Sequence, residues 1–294
     1  MANRLLVAFG DSVIWGQGLE DEHKFVNQVA DAKGLRLRMH AHSGATIGVG
    51  DTYQGRCGSE APNSYPTILQ QLAACTDDPA DTDLILVDGG INDIGVNTIL
   101  SPFTSDAYLR NVTRRYCHDD MVTLLHQVLA RFTNATTRVV VTSYFPVFSP
   151  KSDFSQVPDY LAARGLTPPP SLHTRAEREL FVLRSVDLAM LFWRESRAQL
   201  ARAVADAGSS RVVFADVPFT EDNAMFAPAA WLFNVHFAGG QFVPEDEVIE
   251  ARHQQCVLCH PREPFKVQLC DIASAGHPNV TGARSFAETI LAMA

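Results

Sequence analysis

The segment RLLVAFGDSVIWG, which begins at Arg4, joins a short apolar run to a turn that carries a serine. The run from Arg4 to Phe9 is rich in Leu and Val and predicts a buried strand. Gly10 breaks the run, and Asp11 and Ser12 follow at the turn. The carboxyl ends of parallel strands are where α/β proteins form ligand sites, so Ser12 is a candidate functional residue. For a Gly-Asp-Ser tripeptide taken alone, the simpler interpretation is that Ser12 only caps a helix.

Strand and helix patterns alternate along the rest of the chain. Four more apolar runs predict strands at residues 35–41, 83–87, 138–144 and 211–215. Helical spacing of apolar residues predicts helices at residues 21–32, 64–75, 119–132, 174–207 and 281–293. Five strands with intervening helices predict an α/β fold of three layers, α/β/α, around a parallel five-stranded sheet. Right-handed connections favour the flavodoxin-like strand order 2-1-3-4-5.

Two long stretches have no clear period. Residues 145–172 are rich in proline, and residues 218–270 hold several aromatic residues and three cysteines. No low-complexity linker divides the chain, so we predict one domain over residues 1–294, with both stretches as insertions at the rim of the sheet. Insertions there are suited to forming the walls of a substrate pocket. Residues 48–63, rich in Gly, Pro and polar residues, predict a loop.

Composition narrows the classes of function. The chain of 294 residues has a formal net charge of −9 and shows no basic patch, which argues against nucleic acid as a partner. No apolar run approaches the roughly 18 residues that a transmembrane helix needs. No signal peptide is visible, because the first strand begins by Leu5. We therefore expect either a cytoplasmic protein or the mature form of a secreted or periplasmic one, and six cysteines keep the second option open.

Three glycine-bearing turns follow the first three predicted strands, and they should meet at one rim. Besides the turn of Ser12, these are Ser-Gly-Ala around Gly44 and Gly-Gly-Ile-Asn-Asp around Asn92. Gly44 allows its backbone N–H to approach a ligand, and the Asn92 amide can donate to the same oxygen. His277 precedes the last helix and could take the proton of Ser12. Together these residues provide a nucleophile, a base and oxyanion donors.

Each of these residues also has a purely structural interpretation when taken alone. Gly44 is then a turn glycine, Asn92 a turn or cap residue, and His277 a surface or capping histidine. Asp11 and Asp93 are interpreted as structural residues that hold their turns by local hydrogen bonds. The joint occurrence of the four site residues, each after a strand or before a helix, favours acyl transfer.

Four segments resemble the conserved blocks of the SGNH hydrolases, also called GDSL-type esterases and lipases. FGDSVIWG resembles the nucleophile block, SGATIG the second block, GGINDI the third and GHPNVTGARSFAETI the last. The resemblance implies Ser12 as nucleophile, Gly44 and Asn92 as oxyanion donors, and His277 as base. It also implies a flavodoxin-like fold, no cofactor, no metal at the site, and hydrolysis of small-molecule, lipid or acylated-sugar esters. The G-x-S-x-G elbow of α/β-hydrolases is absent around Ser12.

One position departs from the family pattern. The family usually has Asp three residues before the histidine, whereas this chain has Ser274 there. The nearest upstream carboxylate is Asp271, six residues before His277. A carboxylate on imidazole Nδ1 orients the ring, and some similar proteins use a main-chain carbonyl instead. We favour the Ser274 carbonyl over Asp271 as the group that orients His277.

The cysteines allow several interpretations. Cys256-Val-Leu-Cys259-His260 matches the C-x-x-C-H pattern of haem attachment, and nearby His253 and Cys270 make a zinc site conceivable. Disulfides or free thiols are the favoured interpretation. Cys57 and Cys75 are a further plausible pair, which leaves Cys117 without an obvious partner.

The sequence allows two classes of function. The favoured class is a serine esterase or lipase, because Ser12, Gly44, Asn92 and His277 are all present. The alternative is a catalytically idle module on the same fold that binds a glycan or lipid through the aromatic insertion. Hydrolysis of a short-chain ester would separate the two classes.

Overall fold

The computed structural model describes residues 4–48, 57–238 and 241–293. Residues 49–56, half of the predicted loop at 48–63, lie outside the described part. The described strands form a five-stranded sheet in the order β2-β1-β3-β4-β5, with every neighbouring pair parallel. The predicted strand order and the three-layer α/β/α class are therefore confirmed.

The sheet strands lie close to their predicted positions, and they are β1 (Leu5–Phe9), β2 (Arg36–Met39), β3 (Thr82–Val87), β4 (Arg138–Thr142) and β5 (Val212–Ala215). β1 is buried along its whole length because helices cover both faces of a central parallel strand. β2 alternates exposed and half-buried residues, as its Arg-Leu-Arg-Met sequence predicts for an edge strand. Leu6 of β1 pairs with Leu37 on one side and Leu84 on the other.

The longer helices pack around the sheet, and they are α2 (Phe25–Lys33), α3 (Ile68–Ala74), α6 (Asp106–Arg114), α7 (Met121–Arg131), α9 (Arg175–Asp206) and α12 (Val280–Leu291). Short helices α1 (Ser12–Trp15), α4 (Ile91–Ile94) and α5 (Val96–Leu100) follow β1 and β3 directly. The predicted capping box at the start of α9 is present, with Thr174 and Glu177 bonded reciprocally.

Two helix predictions need correction at their first residues. α3 begins at Ile68 rather than residue 64, because Pro66 precedes a capping box formed by Thr67 and Gln70. The helix predicted from residue 119 continues one that begins at Asp106, through a π-helical segment, Arg115–Asp120. α6 is polar overall and buries only Leu109 and Thr113, so it lacks the run of apolar residues from which the other helices were predicted.

The two predicted insertions contain more regular structure than expected. Residues 145–172 include α8 (Val157–Ala163). Residues 218–270 include an antiparallel hairpin of β6 (Val235–Ala238) and β7 (Gln241–Pro244), then α10 (Ile249–Cys259) and most of α11 (Pro264–Asp271). The prediction of irregular structure was wrong at these elements, because tertiary packing stabilises short helices whose own periodicity is weak.

Two disulfides join the second insertion to itself and to the loop before α3. Cys256 is bonded to Cys270, and Cys57 is bonded to Cys259. The expected pair of Cys57 with Cys75 was wrong, since Cys75 is a buried free thiol, as is Cys117. The bonded sulfurs cannot also be zinc ligands or haem attachment points, so those two interpretations of the cysteine cluster are discarded.

Candidate active site

The four residues selected from the motifs lie together around one pocket. Ser12, Gly44, Asn92 and His277 all line a cavity of about 340 Å³ at the carboxyl ends of β1 and β3. The cavity is also lined by side chains of both insertions, including Tyr160 from α8 and Leu269 from α11. The insertions therefore form walls of the pocket, while the segments that follow β1, β2 and β3 supply the residues at the edge of the sheet.

Ser12 and His277 are in direct contact. The Ser12 hydroxyl and His277 Nε2 are 2.8 Å apart, which is hydrogen-bond distance. Ser12 is the first residue of α1, so its own N–H has no partner within the helix. Asp11 precedes it as the N-cap, and its carboxylate accepts the Val13 N–H at 2.9 Å. This is the local structural role that the sequence predicts for Asp11.

A buried acidic pair lies beneath the Ser12 turn. Asp88, at the end of β3, accepts the Asp11 N–H at 2.9 Å, and the Tyr144 hydroxyl donates to Asp11 at 2.9 Å. Burial raises the pKa of both carboxyls, and the charge of Asp11 raises the pKa of Asp88 further. A Cβ at Gly10 would lie 2.1 Å from an Asp88 oxygen, so this contact requires glycine at residue 10.

Gly44 presents its backbone to the pocket. Its φ is +83°, and a Cβ there would lie 2.4 Å from the Asn63 nitrogen, so both conformation and space require glycine. Among the described residues, no group accepts a hydrogen bond from the Gly44 N–H. That N–H is therefore available to an oxygen in the cavity.

Asn92 and Asp93 join the second and third turns. The Asn92 amide donates to the Ala45 carbonyl at 3.0 Å, which orients the group and leaves it a second N–H. Both Asp93 oxygens accept the Ile47 N–H, at 3.0 and 3.1 Å. Asp93 is thus structural, as predicted, but its hydrogen bond spans 46 residues and is not local. Burial raises the pKa of Asp93 to about 7.

The surroundings of His277 keep its ring neutral. Burial, followed by the charges of Arg164 and Arg252, lowers its pKa to about 4, while nearby carbonyls of Ser274 and Ala273 act in the opposite direction. Among the described residues, Nδ1 has no partner that meets hydrogen-bond geometry. The Ser274 carbonyl accepts the backbone N–H of His277 at 2.8 Å, so this carbonyl lies close to the histidine.

Asp271, the less favoured of the two candidates for orienting His277, forms no hydrogen bond to that histidine among the described residues. Asp271 ends α11, and its carboxylate accepts from His253 Nδ1 on α10 at 3.0 Å. α10 and α11 pack together and are joined by the Cys256–Cys270 disulfide, which keeps the Asp271 carboxylate close to His253. The Ser274 carbonyl remains the candidate.

A buried network of charged side chains, which the sequence does not predict, supports the turn before His277. Arg252 is fully buried and pairs with Asp246 and, at 3.2 Å, with Glu60. The Ser274 hydroxyl donates to Asp246, and Arg252 also donates to the Asp271 carbonyl at 2.9 Å. Ser274, at the position where the resemblance leads one to expect an acid, is therefore hydrogen-bonded to the carboxylate of Asp246, 28 residues earlier in the chain.

The same network reaches the nucleophile segment. Glu60 accepts from Trp15 Nε1 at 2.6 Å, from the Gln17 amide at 2.8 Å and from the Gly18 N–H at 2.9 Å. Burial raises the pKa of Glu60, and the Arg252 charge opposes that rise. No local pattern in the sequence could have revealed this set, because an isolated Arg or Glu in a polar stretch is normally exposed.

Comparison with known proteins agrees with this fold. Residues 8–284 match the GDSL-like Lipase/Acylhydrolase family, and the chain belongs to that family. A lipase, Lip_vut3, from a goat rumen metagenome superposes with a TM-score of 0.51 at 12% identity, covering 98% of this chain and 96% of that one. At such identity the similarity shows the fold.

Two further solved structures superpose on the chain with lower TM-scores. A family two carbohydrate esterase from Clostridium thermocellum, in complex with cellohexaose, gives a TM-score of 0.46 at 12% identity over 99% of this chain. The salicylyl-acyltransferase SsfX3 from a tetracycline biosynthetic pathway gives 0.43 at 13% identity, also over 99% of this chain. This chain covers 63% and 53% of those two proteins, respectively. No curated protein sequence matches the chain.

None of the helices in the described ranges is long and apolar enough to span a bilayer.

Proposed function

We propose that this protein is a serine esterase that hydrolyses carboxylic esters through an acyl-serine intermediate. The observation that carries the proposal is the 2.8 Å contact between the Ser12 hydroxyl and His277 Nε2 inside a pocket. In the proposed reaction, Ser12 attacks the ester carbonyl while neutral His277 takes its proton. The imidazolium then gives that proton to the leaving alkoxide, and the alcohol departs.

The oxyanion of the tetrahedral intermediate would be bound by three donors. These are the N–H groups of Ser12 and Gly44 and the second amide N–H of Asn92. In the second half-reaction a water attacks the acyl carbonyl and gives a proton to His277. The imidazolium then returns that proton to the Ser12 oxygen as the acyl–serine bond breaks and the acid is released. Loss of one such donor typically lowers turnover by about 10²–10³. Asn92→Ala should therefore lower turnover by that factor and change stability little.

Orientation of His277 would come from main-chain groups rather than a carboxylate. The lowered pKa keeps Nε2 free to accept at neutral pH, and the nearby Ser274 and Ala273 carbonyls favour a proton on Nδ1. The hydrogen bond from Ser274 to Asp246 would hold this turn in place.

Covalent labelling tests the proposal. A fluorophosphonate or sulfonyl fluoride should modify Ser12, seen as one adduct by intact mass and located by peptide mapping. Ser12→Ala should abolish both labelling and hydrolysis of 4-nitrophenyl butyrate.

Ser43→Ala is the matched control, because Ser43 lines the same pocket but has no described hydrogen bond to His277. It should keep both labelling and turnover. Labelling at another serine, with turnover surviving in Ser12→Ala, would overturn the proposed nucleophile. A purified protein that hydrolyses no ester and takes no label would favour the alternative of an idle binding module.

A further inference from the structure

The pocket at Ser12 has positively charged walls. Arg164 and Lys266 line it with permanent positive charge, and no Asp or Glu is among its described lining residues. His260 also lines it, but burial lowers the pKa of its ring and so favours the neutral form. The chain as a whole carries a formal charge of −9, so the pocket differs in sign from the protein around it. A local concentration of one sign of charge in a cleft selects ligands of the other sign.

Arg164 is held in a fixed position by neutral groups. It follows α8, its Nε donates to the Asn97 side-chain oxygen at 3.1 Å, and its Nη1 donates to the Tyr160 hydroxyl at 3.3 Å. The Asn97 amide donates back to the Arg164 carbonyl at 3.2 Å. These bonds orient the guanidinium, and because both acceptors are neutral they do not compensate its charge.

The other permanent charge in the pocket is already paired. Lys266 lies 2.6 Å from the Glu263 carboxylate at the exposed rim. In the described part of the chain, by contrast, Arg164 forms no ion pair and no group accepts from its Nη2. A half-buried guanidinium with donors still available is arranged to bind a planar oxyanion such as a carboxylate.

Arg164 is also close enough to the reacting groups to influence them. Its charge is one of the causes that lower the pKa of His277. A substrate anion beside Arg164 would offset this charge and so ease formation of the imidazolium during attack. Binding and catalysis would then both favour the same kind of substrate.

We propose that the natural substrate is an ester that also carries a free carboxylate, and that Arg164 binds this carboxylate. The proposal rests on the esterase function proposed above and specifies its substrate class. One unpaired cation matches one carboxylate charge, whereas a phosphate ester group would bring up to two negative charges. The carboxylate can belong to the acyl part or to the alcohol part of the ester, and the experiment separates these cases.

Two matched substrate pairs test the proposal. For the acyl side, mono(4-nitrophenyl) glutarate is compared with 4-nitrophenyl valerate, in which a methyl group replaces the carboxylate. For the alcohol side, 3-acetoxybenzoate is compared with 3-methylphenyl acetate. After correction for spontaneous hydrolysis, we expect kcat/KM to favour the anionic ester of one pair by roughly 10- to 100-fold, the range for a hydrogen bond between charged groups.

Variants at the binding position assign the preference to Arg164. Arg164→Gln should bring the anionic-to-neutral ratio of kcat/KM close to that of the uncatalysed reaction. Asn97→Asp is an isosteric change that places a carboxylate on Arg164, and it should lower the ratio while the guanidinium stays in place. Arg175→Gln is the control, because Arg175 is exposed on α9 and pairs with Glu179 outside the pocket. It should leave the ratio unchanged.

The outcomes for substrate class and for the esterase function are distinguishable. Equal kcat/KM within both pairs, or a ratio that survives Arg164→Gln and Asn97→Asp, overturns the carboxylate proposal but leaves the esterase intact. If no ester is hydrolysed, calorimetry on the Ser12→Ala protein compares monomethyl glutarate with dimethyl glutarate. Tighter binding of the monoester supports the carboxylate site without catalysis, and equal binding overturns it.

Discussion

The acid limb of the pH–rate profile is the most direct test of the electrostatics at the candidate site. His277 must be neutral to accept the Ser12 proton, so kcat/KM falls as the ring becomes protonated. Its pKa in the folded protein is about 4, well below the usual 6.5, because burial and the charges of Arg164 and Arg252 disfavour the imidazolium. We therefore expect kcat/KM to be nearly flat from pH 8 to about pH 5.

The size of the effect follows from these two pKa values. At pH 5.5 a ring with a pKa of 4 is about 97% neutral, whereas one with a pKa of 6.5 is about 9% neutral. The activity retained at pH 5.5 should thus be about ten times that expected for an ordinary histidine. The assay is kcat/KM for the neutral ester 4-nitrophenyl butyrate, followed at the isosbestic wavelength of nitrophenol so that its own ionisation does not interfere.

Asp93 provides the necessary control, since its pKa of about 7 lies in the same range. Its protonation would weaken the hydrogen bond that joins Asp93 to the Ile47 N–H, and a small step in activity near neutral pH could arise there. Asp93→Asn should remove that step and leave the limb at pH 4–5 unchanged. A tenfold loss of kcat/KM between pH 7 and 5.5 in both proteins would refute the assignment of a low pKa to His277.

Stability should follow the same titration. The unfolded histidine takes up a proton near pH 6.5 and the folded one only near pH 4, so unfolding becomes easier as the pH falls between these values. The difference of about 2.5 between the two pKa values corresponds to about 3 kcal/mol of folding stability, which is present above pH 6.5 and lost as the pH falls through about 4. Urea unfolding at pH 7 and at pH 4 gives the free energy of unfolding of wild type and of His277→Gln. On going from pH 7 to pH 4, wild type should lose about 3 kcal/mol more than His277→Gln. No change would contradict the burial of a neutral ring.

Three further predictions concern the supporting structure. Asp271→Asn should keep turnover within about tenfold, measured as kcat on 4-nitrophenyl butyrate, because this carboxylate binds His253; a loss near 10⁴ would make it a triad residue. Arg252→Met should lower the urea-unfolding free energy by about 3–5 kcal/mol, because two buried carboxylates lose their counter-charge; a change under 1 kcal/mol would show that they are neutral. Reduction of the Cys256–Cys270 disulfide should lower the free energy of unfolding by about 2–4 kcal/mol, whereas a chelator should leave that free energy unchanged.

The sequence was sufficient for the architecture because its main signals are local. Apolar runs such as Leu5–Phe9 must be buried, and their alternation with helical patterns leaves a parallel sheet as the arrangement that buries them all. Glycine-bearing turns after such strands meet at one edge by geometry, which is how Ser12, Gly44 and Asn92 could be predicted to lie together.

The insertions were less predictable for a physical reason. α8, α10 and α11 are short, and their sequences show no strong apolar stripe, so an isolated peptide would hold little helix. In the folded chain α8 is stabilised by burial of its apolar residues, whereas α10 and α11 are held by their mutual packing and by the two disulfides. The pairing of Cys57 with Cys259, 202 residues apart, depends on how the chain returns to the rim, and sequence spacing does not reveal it.

By itself the sequence determined the turn that carries Ser12, the histidine before the last helix and the sheet that presents them, because each depends on residues adjacent in the chain. The tertiary structure alone decided the charges around them. It buried Arg252 between Glu60 and Asp246, paired Asp271 with His253, and placed Arg164 in the pocket with no counter-ion among the described residues. Burial and electrostatic pairing depend on distances through space, and a linear sequence does not contain those distances.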